Sequence, residues 1–419
     1  MLLSFLLPFL VAGVGLFLLF RLRFFYILHP IRTSKEIFSE LKKREVRRSF
    51  FLALAGTLGV GNIFGVSAGI IIGGPGSIFW LFISSIFAMI IKYSETLLVF
   101  DLGIERGGMA AAIKSAFIKS GKYLSMICAL FTLLLSFLMG AAMQGKALID
   151  VAYQSLAINP YISLAILLIF LTPCLFGNGK KIESITEVII PLTTIIYIIM
   201  CFGVVFANFS RLGDVIVLIV KSAFSFRSAG GGIAFLAIKE GFSRGILSNE
   251  AGAGTSAMAH LRSSDRSPHN AGLFAMCEVI FDSSILCVLT GFAILLSVEN
   301  ITAYSSPMAL VSDAFGNVFG KFSYIALPLI ILSFAYATII CWYYYGAECS
   351  SLYFPFLRRT FPLFFTTFIV LSRYMNDKFM LYHIDFLLLV MSVITLSLIL
   401  KKSGRIVQIY MKLQKTNPE

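Results

Sequence analysis

Residues 53–80 place Gly56, Gly59 and Gly61 around Thr57 and Asn62, inside a run that otherwise reads as one apolar helix. An interior glycine costs about 1 kcal/mol of helix propensity relative to alanine. Three within six residues, beside two hydrogen-bonding side chains, therefore predict unwound backbone. At membrane depth such backbone persists only where it lines a cavity or binds something. Amides freed at the break would attract an anion, and freed carbonyls a cation or an amine. A second interruption is expected at Gly230, Gly231 and Gly232, about 170 residues further on. An amino acid carries both charges, so two such breaks side by side suit it. Gly61, Gly65, Gly69 and Gly73 recur at every fourth position and also fit a ridge for close helix approach.

Charged residues within apolar runs are the next candidates, because a charge inside a membrane is costly and functional by default. Lys146 has Asp150 four residues later, a spacing that would pair them near the outer helix end and let the ammonium reach the interface. Alternatively, its charge replaces a bound sodium or titrates during transport. Lys92 and Glu95, at i,i+3, read as a structural ion pair between packed helices. Asp282 has no evident partner and is either glue between helices or part of a coupling site. Arg244, Asn249 and Glu250 are expected at the cytoplasmic face, as a gate or as helix caps.

Other chemistries find little support. Residues 252–257 fit GxGxxA, but no strand precedes them, so the match is a nucleotide-binding lookalike. The seven cysteines lie in or beside apolar segments and read as small hydrophobes. The four histidines lack metal-ligand spacing, so no transition metal is expected. Without a nucleophile–base pair, the chain is not read as an enzyme.

The elements that must position these residues follow from composition. Of 419 residues, 58% are hydrophobic and only 13% charged, with 41 Phe and 33 Gly. Mean hydropathy is +0.90. Such a chain is an all-α polytopic membrane protein. Apolar spans are expected near 2–28, 50–73, 76–100, 123–149, 161–176, 183–207, 228–246, 270–298, 322–347, 360–372 and 380–400, eleven in all. The first reads as a retained helix rather than a signal peptide. Alternating the loops places 26 of the 34 Lys and Arg on one face, which by the positive-inside rule is cytoplasmic. The N-terminus is then outside and the C-terminus inside. The net charge of +13 becomes an orientation signal, with attraction to anionic lipid secondary and nucleic acid excluded as a partner.

Several blocks carry a resemblance: GTLGVGNIFGV (56–66), GGPGSIFW (73–80), Lys92 through Glu95, RGILSNEAGAGTSAMAH (244–260) and WYYYGAE (342–348). In order and spacing, over roughly residues 45–350, the chain resembles the alanine or glycine:cation symporter family. That resemblance implies a LeuT-type fold of two inverted five-helix repeats, at 49–208 and 209–400. An extra N-terminal helix (1–28), a basic cytoplasmic loop (29–48) and a basic tail (401–419) complete the chain. It further implies that amides around Val60 and Gly61 hold the substrate carboxylate, and that Gly230, Gly231 and Gly232 receive the amine. Gln144, Thr338 and Trp342 would line the pocket. Carbonyls of Ala55 and Leu58, with oxygens of Thr57, Asn62 and Thr338, would ligate sodium. The chain departs from the family in having Ala337 where a serine is usual, and Cys341 in place of a glycine.

The resulting expectation is a secondary transporter in a bacterial inner membrane. It would carry a small neutral amino acid, alanine or glycine, by sodium-coupled symport and alternating access. Sodium would be a co-substrate, with no other cofactor. The alternatives are a proton-coupled or cation-independent carrier of another small amino acid or amine, or a non-transporting receptor on the same fold.

Overall fold

In hydrocarbon every backbone amide and carbonyl must be satisfied within the protein, and a chain of this composition does so with helices. The computed structural model describes residues 3–117, 119–175, 179–225 and 232–416, and no strand occurs among them. Helix α1 (Leu3–Arg21) ends where Arg23 and Phe24 take positive φ, turning the chain into the basic segment 29–48. That segment is not a loop as expected but largely helical, at Pro30–Glu40 and from Arg44 onward. Next come α2 (Arg44–Thr57) and α3 (Phe64–Gly73), the two arms of one interrupted span. The halves Arg44–Thr57 and Val60–Gly73 meet at a bend of 62°. They are followed by α4 (Gly76–Asp101), α5 (Gly121–Leu156), α6 (Pro160–Leu175), α7 (Gly179–Ala207) and α8 (Leu212–Ala223). The second half contains α9 (Gly232–Asn249), α10 (Pro268–Ser297), α11 (Pro307–Phe319), α12 (Ser323–Tyr353), α13 (Phe361–Leu371) and α14 (Asp377–Thr416).

Among the described residues, six helices are long and apolar enough to cross a membrane, or seven with the bent pair. Shorter apolar helices lie at Leu6–Arg21, Pro160–Leu175 and Phe361–Tyr374. The residues expected to form a separate tail continue α14 as helix to Thr416. Large apolar side chains such as Phe9, Phe20, Ile169, Phe206 and Leu363 are exposed, as a lipid-facing surface requires.

Two groups of helices emerge from the packing. The broken span α2–α3 packs with α4, α9 and α10, while α12 packs against α5 and α7 and α13 covers α5. Helix α7 also touches α2, bridging the groups. Small residues set the closest crossings. Gly69 and Gly73 face Arg244 and Glu240 of α9, so the glycine ridge of α3 is a packing surface. Gly61 does not share that role, because a Cβ added there meets nothing within 4 Å. At one end of the bundle, Arg44, Arg47 and Arg48 converge on Glu187 of α7. Arg262 pairs with Glu183 of the same helix.

One of the tight crossings lies behind the break. A Cβ on Gly140 of α5 would fall 2.2 Å from Trp342 Cβ. Overpacking of this kind typically costs about 1–3 kcal/mol. Gly140→Ala should therefore lower the melting temperature of the purified protein. Gly213→Ala, where nothing lies within 4 Å, should melt no lower than the wild type.

Candidate functional site

The first break is built from its own backbone and one amide side chain. Helix α2 stops at Thr57, Gly59 is extended, and Val60–Asn62 forms a single 3-10 turn before α3. Asn62 Oδ1 accepts the Gly59 N–H at 3.1 Å, capping the turn. Val60 N–H donates to Gln144 Oε1 of α5 at 3.1 Å. A Cβ at position 59 would sit 2.9 Å from both polar atoms of the Gln144 amide, so a larger residue there would push Gln144 off the Val60 amide.

Helix α12 braces the break from the other side. Trp342 Nε1 donates to the Gly56 carbonyl at 3.3 Å, and Cys341 Sγ lies 3.1 Å from the Leu52 carbonyl. Thr338 Oγ1 sits 3.1 Å from the Leu58 carbonyl and 3.0 Å from that of Phe334. A hydroxyl carries one hydrogen and can donate to only one of them. The Thr338 hydroxyl is thus flanked by two carbonyl oxygens, the ligand type that a hard cation takes. Thr57 Oγ1 is turned back onto the Leu54 carbonyl at 3.2 Å. Ala55 lies in the same last turn of α2, fully buried.

A cavity of about 320 Å³ reaches this break. Val60, Gly61, Phe64, Met143 and Leu247 wall its inner part, and Lys146, Asp150, Arg244 and Asp377 stand among its lining. Trp342, Thr338 and Gln144, expected to line the pocket, are not among its lining residues and are 0%, 1% and 2% exposed. They hold the break in shape rather than form the cavity wall.

Other expectations are corrected. Lys146 pairs with Asp377 Oδ1 at 2.6 Å and donates to the Met375 carbonyl at 2.8 Å, rather than taking Asp150 as its ion-pair partner. Lys92 does not pair with Glu95. Its ammonium lies 3.7 Å from Glu278 on α10 and donates to Ser256. Arg244 sits in the cavity beside Ser306, Pro307 and Asp377, in loops that the charge count puts outside. Arg244 therefore lies at the same end as those loops and not at the opposite face, where it was expected. Arg244 bonds Glu240 at 3.0 Å. Asn249 and Glu250, expected at the cytoplasmic face, are each 1% exposed in the interior.

Gly230 and Gly231 lie outside the described residues, and Gly232 is the first residue of α9. The second break among the described residues falls later, at 250–256. There Glu250, Gly252 and Gly254 take φ of 56°, 93° and 70° before a short helix at Ala257–His260. Left-handed backbone favours glycine, and that was the readable signal in NEAGAG.

Asp282 acquires partners that the sequence concealed. Asn62 Nδ2 donates to its carboxylate in a very short contact, Ser248 Oγ lies 2.9 Å from both oxygens, and Ser283 Oγ donates at 2.6 Å. Asn249 joins through Ser283 at 3.0 Å. The carboxylate ties the first break to α9 and α10.

The comparisons with known proteins bear on the family and the fold. The model of the "Sodium:alanine symporter family" matches residues 1–419. The "Probable sodium/glutamine symporter GlnT" of Bacillus subtilis is 31% identical over 354 residues, 80% of this chain and 72% of that protein. The "Sodium/alanine symporter AgcS" of Methanococcus maripaludis is 29% identical over 362 residues, 81% of this chain and 79% of that protein. The crystal structure of MhsT in complex with L-phenylalanine aligns with a TM-score of 0.61 at 15% identity, covering 85% of this chain and 88% of that one. At that identity the likeness speaks to the fold, which is shared with LeuT-type transporters. The molecule is an integral, multi-pass transporter and not an enzyme, and the chain belongs to the sodium:alanine symporter family.

Proposed function

We propose that this symporter carries a small neutral amino acid, alanine or glycine, together with sodium across a bacterial inner membrane. The observation that carries the reading is the cavity ending on the Val60–Gly61 backbone. Val60 N–H now gives its hydrogen to a neutral amide oxygen, and a substrate carboxylate would take that place with a stronger, charge-assisted bond. The missing side chain at Gly61 leaves room for a ligand to approach the backbone. The mouth offers both signs of charge, as a zwitterion requires. Sodium is assigned to the oxygens of Leu58, Phe334 and Thr338, with Ala55 adjacent. Thr57 and Asn62, whose oxygens are engaged locally, serve the break's geometry.

Alternating access follows from the two helix groups. The ion pairs on Glu187 and Glu183 close the basic end, which is taken as cytoplasmic, while the cavity opens at the other. The proposed architecture has two inverted five-helix repeats, at 49–208 and 209–400, with α1 outside them, and eleven crossings with the N-terminus outside. The divergent solutes in the relatives' names, glutamine and alanine, agree with assigning the solute to the cavity wall and the cation to the oxygens behind it.

Uptake of labelled alanine and glycine into proteoliposomes should depend on an inward sodium gradient at fixed pH. Absence of uptake of any small amino acid under any cation gradient sinks the proposal. Gly61→Ala should fold normally, since its Cβ meets nothing within 4 Å. It should nonetheless raise the substrate KM at least about tenfold, the equivalent of ~1.4 kcal/mol. Thr338→Ala should raise the sodium requirement by about tenfold or more, since a bond to a charged group is worth ~1.5–3 kcal/mol. An unchanged sodium curve would remove Thr338 from the site.

A further inference from the structure

The second break holds a charge imbalance that neither the substrate cavity nor the sodium oxygens absorb. Glu95, Glu250 and Glu278 are 0%, 1% and 0% exposed, and they gather around Lys92 and His260, at 0% and 1%. Asp282 on α10 faces the same region and adds to the negative charge. Cys341 and Tyr345 of α12 are the uncharged titratable groups facing it. Even with His260 charged, Lys92 and His260 leave the three glutamates one negative charge in excess. An unpaired charge in the interior costs several kcal/mol and is avoided by neutralisation.

The contacts show which carboxyl is left over. Glu278 takes Lys92 at 3.7 Å and His260 in a very short contact. Glu95 Oε1 accepts the Gly252 N–H at 2.6 Å, from the left-handed turn of the break itself. Glu250 has only the Thr255 hydroxyl, at 2.6 Å on Oε2. Its Oε1 is buried without a hydrogen-bond partner, as are Glu95 Oε2 and Glu278 Oε2. Glu278 Oε2, however, has the Lys92 ammonium at 3.7 Å, whereas Glu250 has no cation within ion-pair distance among the described residues. A metal ion is a poor answer, because among the described residues no group of three His, Cys, Asp or Glu is placed to hold one. The Lys92 ammonium would also repel it.

We propose that Glu250 is a proton-binding site at the second break, occupied while the basic end is closed. None of Lys92, Glu95, Glu250 or Glu278 lines the outer cavity, and the chain leaves the break toward the basic end, where Arg262 pairs with Glu183. The proton is therefore assigned to exchange with water there. When the break opens there, the Glu250 O–H bond breaks, the proton passes to water, and the carboxylate is left solvated. Closing reverses the step. The side chain clamps the turn through Thr255, while Glu95 and Lys92 hold Gly252 and Ser256. The proton therefore reports and favours the closed state. Low pH on the basic side stabilises closure and slows uptake, and high pH releases it.

The direct test needs no transport and stands whatever solute is carried. Infrared spectra of the purified wild-type protein at neutral pH should contain the carbonyl stretch of a buried, protonated carboxylic acid. Glu250→Gln should remove that band and Glu95→Gln should retain it. No such band in the wild type overturns the proposal, as does a band lost in Glu95→Gln and kept in Glu250→Gln. In oriented proteoliposomes with external pH, sodium and substrate fixed, raising internal pH from about 6 to about 8 should speed wild-type uptake. The limit for one proton is about tenfold per pH unit. Glu250→Gln, held neutral, should be slow and flat across that range. A flat wild-type profile, or a wild-type profile retained in Glu250→Gln, overturns the coupling to opening.

Discussion

A peptide group that leaves a helix inside hydrocarbon has no water to turn to, and each one must be met by another part of the protein. That constraint organises this molecule. At the first break, the amides of Gly59 and Val60 and the carbonyls of Gly56 and Leu58 are taken up by Asn62, Gln144, Trp342 and Thr338. Those partners come from α5 and α12 as well as from the break. The span can be broken only because the opposing helix group supplies donors and acceptors at the right depth. A ligand that replaces one of them, as a carboxylate would at Val60, is thereby coupled to how the two groups sit against each other.

The bracing explains features that otherwise look like excess packing. Trp342 can reach the Gly56 carbonyl because Gly140 lets α12 approach α5 so closely. Asp282 can remain in the interior because Asn62, Ser248 and Ser283 all face it, which locks the break to α9 and α10. The rigid parts of the site are thus outside the cavity, and the cavity wall is left to small or apolar residues around Gly61.

The first break was legible because its glycines and its hydrogen-bonding side chains fall within six residues, where propensity and polarity argue the same way. Helix class, family and the ridge of Gly69 and Gly73 were legible on similar local grounds. The second break was not. NEAGAG carries Asn249 and Glu250, whose polarity reads as surface in a one-dimensional pattern, although both are buried. The signal present was glycine alternation at 252 and 254, where φ is positive. Ion-pair partners were the least legible: Lys146 meets Asp377, 231 residues away, and Lys92 meets Glu278 rather than its neighbour in sequence. Spacing along a helix reports only local partners, and burial makes distant ones decisive.

The two breaks satisfy the same constraint with different chemistry. At the first, backbone groups meet neutral partners: an asparagine, a glutamine, a threonine and an indole. The one formal charge in contact with that break, the Asp282 carboxylate on Asn62, is itself held by Ser248 and Ser283, so on the proposed reading a zwitterion or a sodium ion would displace only neutral partners. At the second, the Gly252 amide meets a carboxylate and Lys92 reaches the Ser256 hydroxyl. Breaking these contacts without water would leave bare charges in the interior, so this break can open only as water arrives from the basic end. Neutral bracing on the ligand side and ionic bracing on the far side give the two ends different conditions for opening. On the proposed reading, the outer path would respond to what binds in the cavity, and the inner path to water and to the protonation state of the groups that hold it.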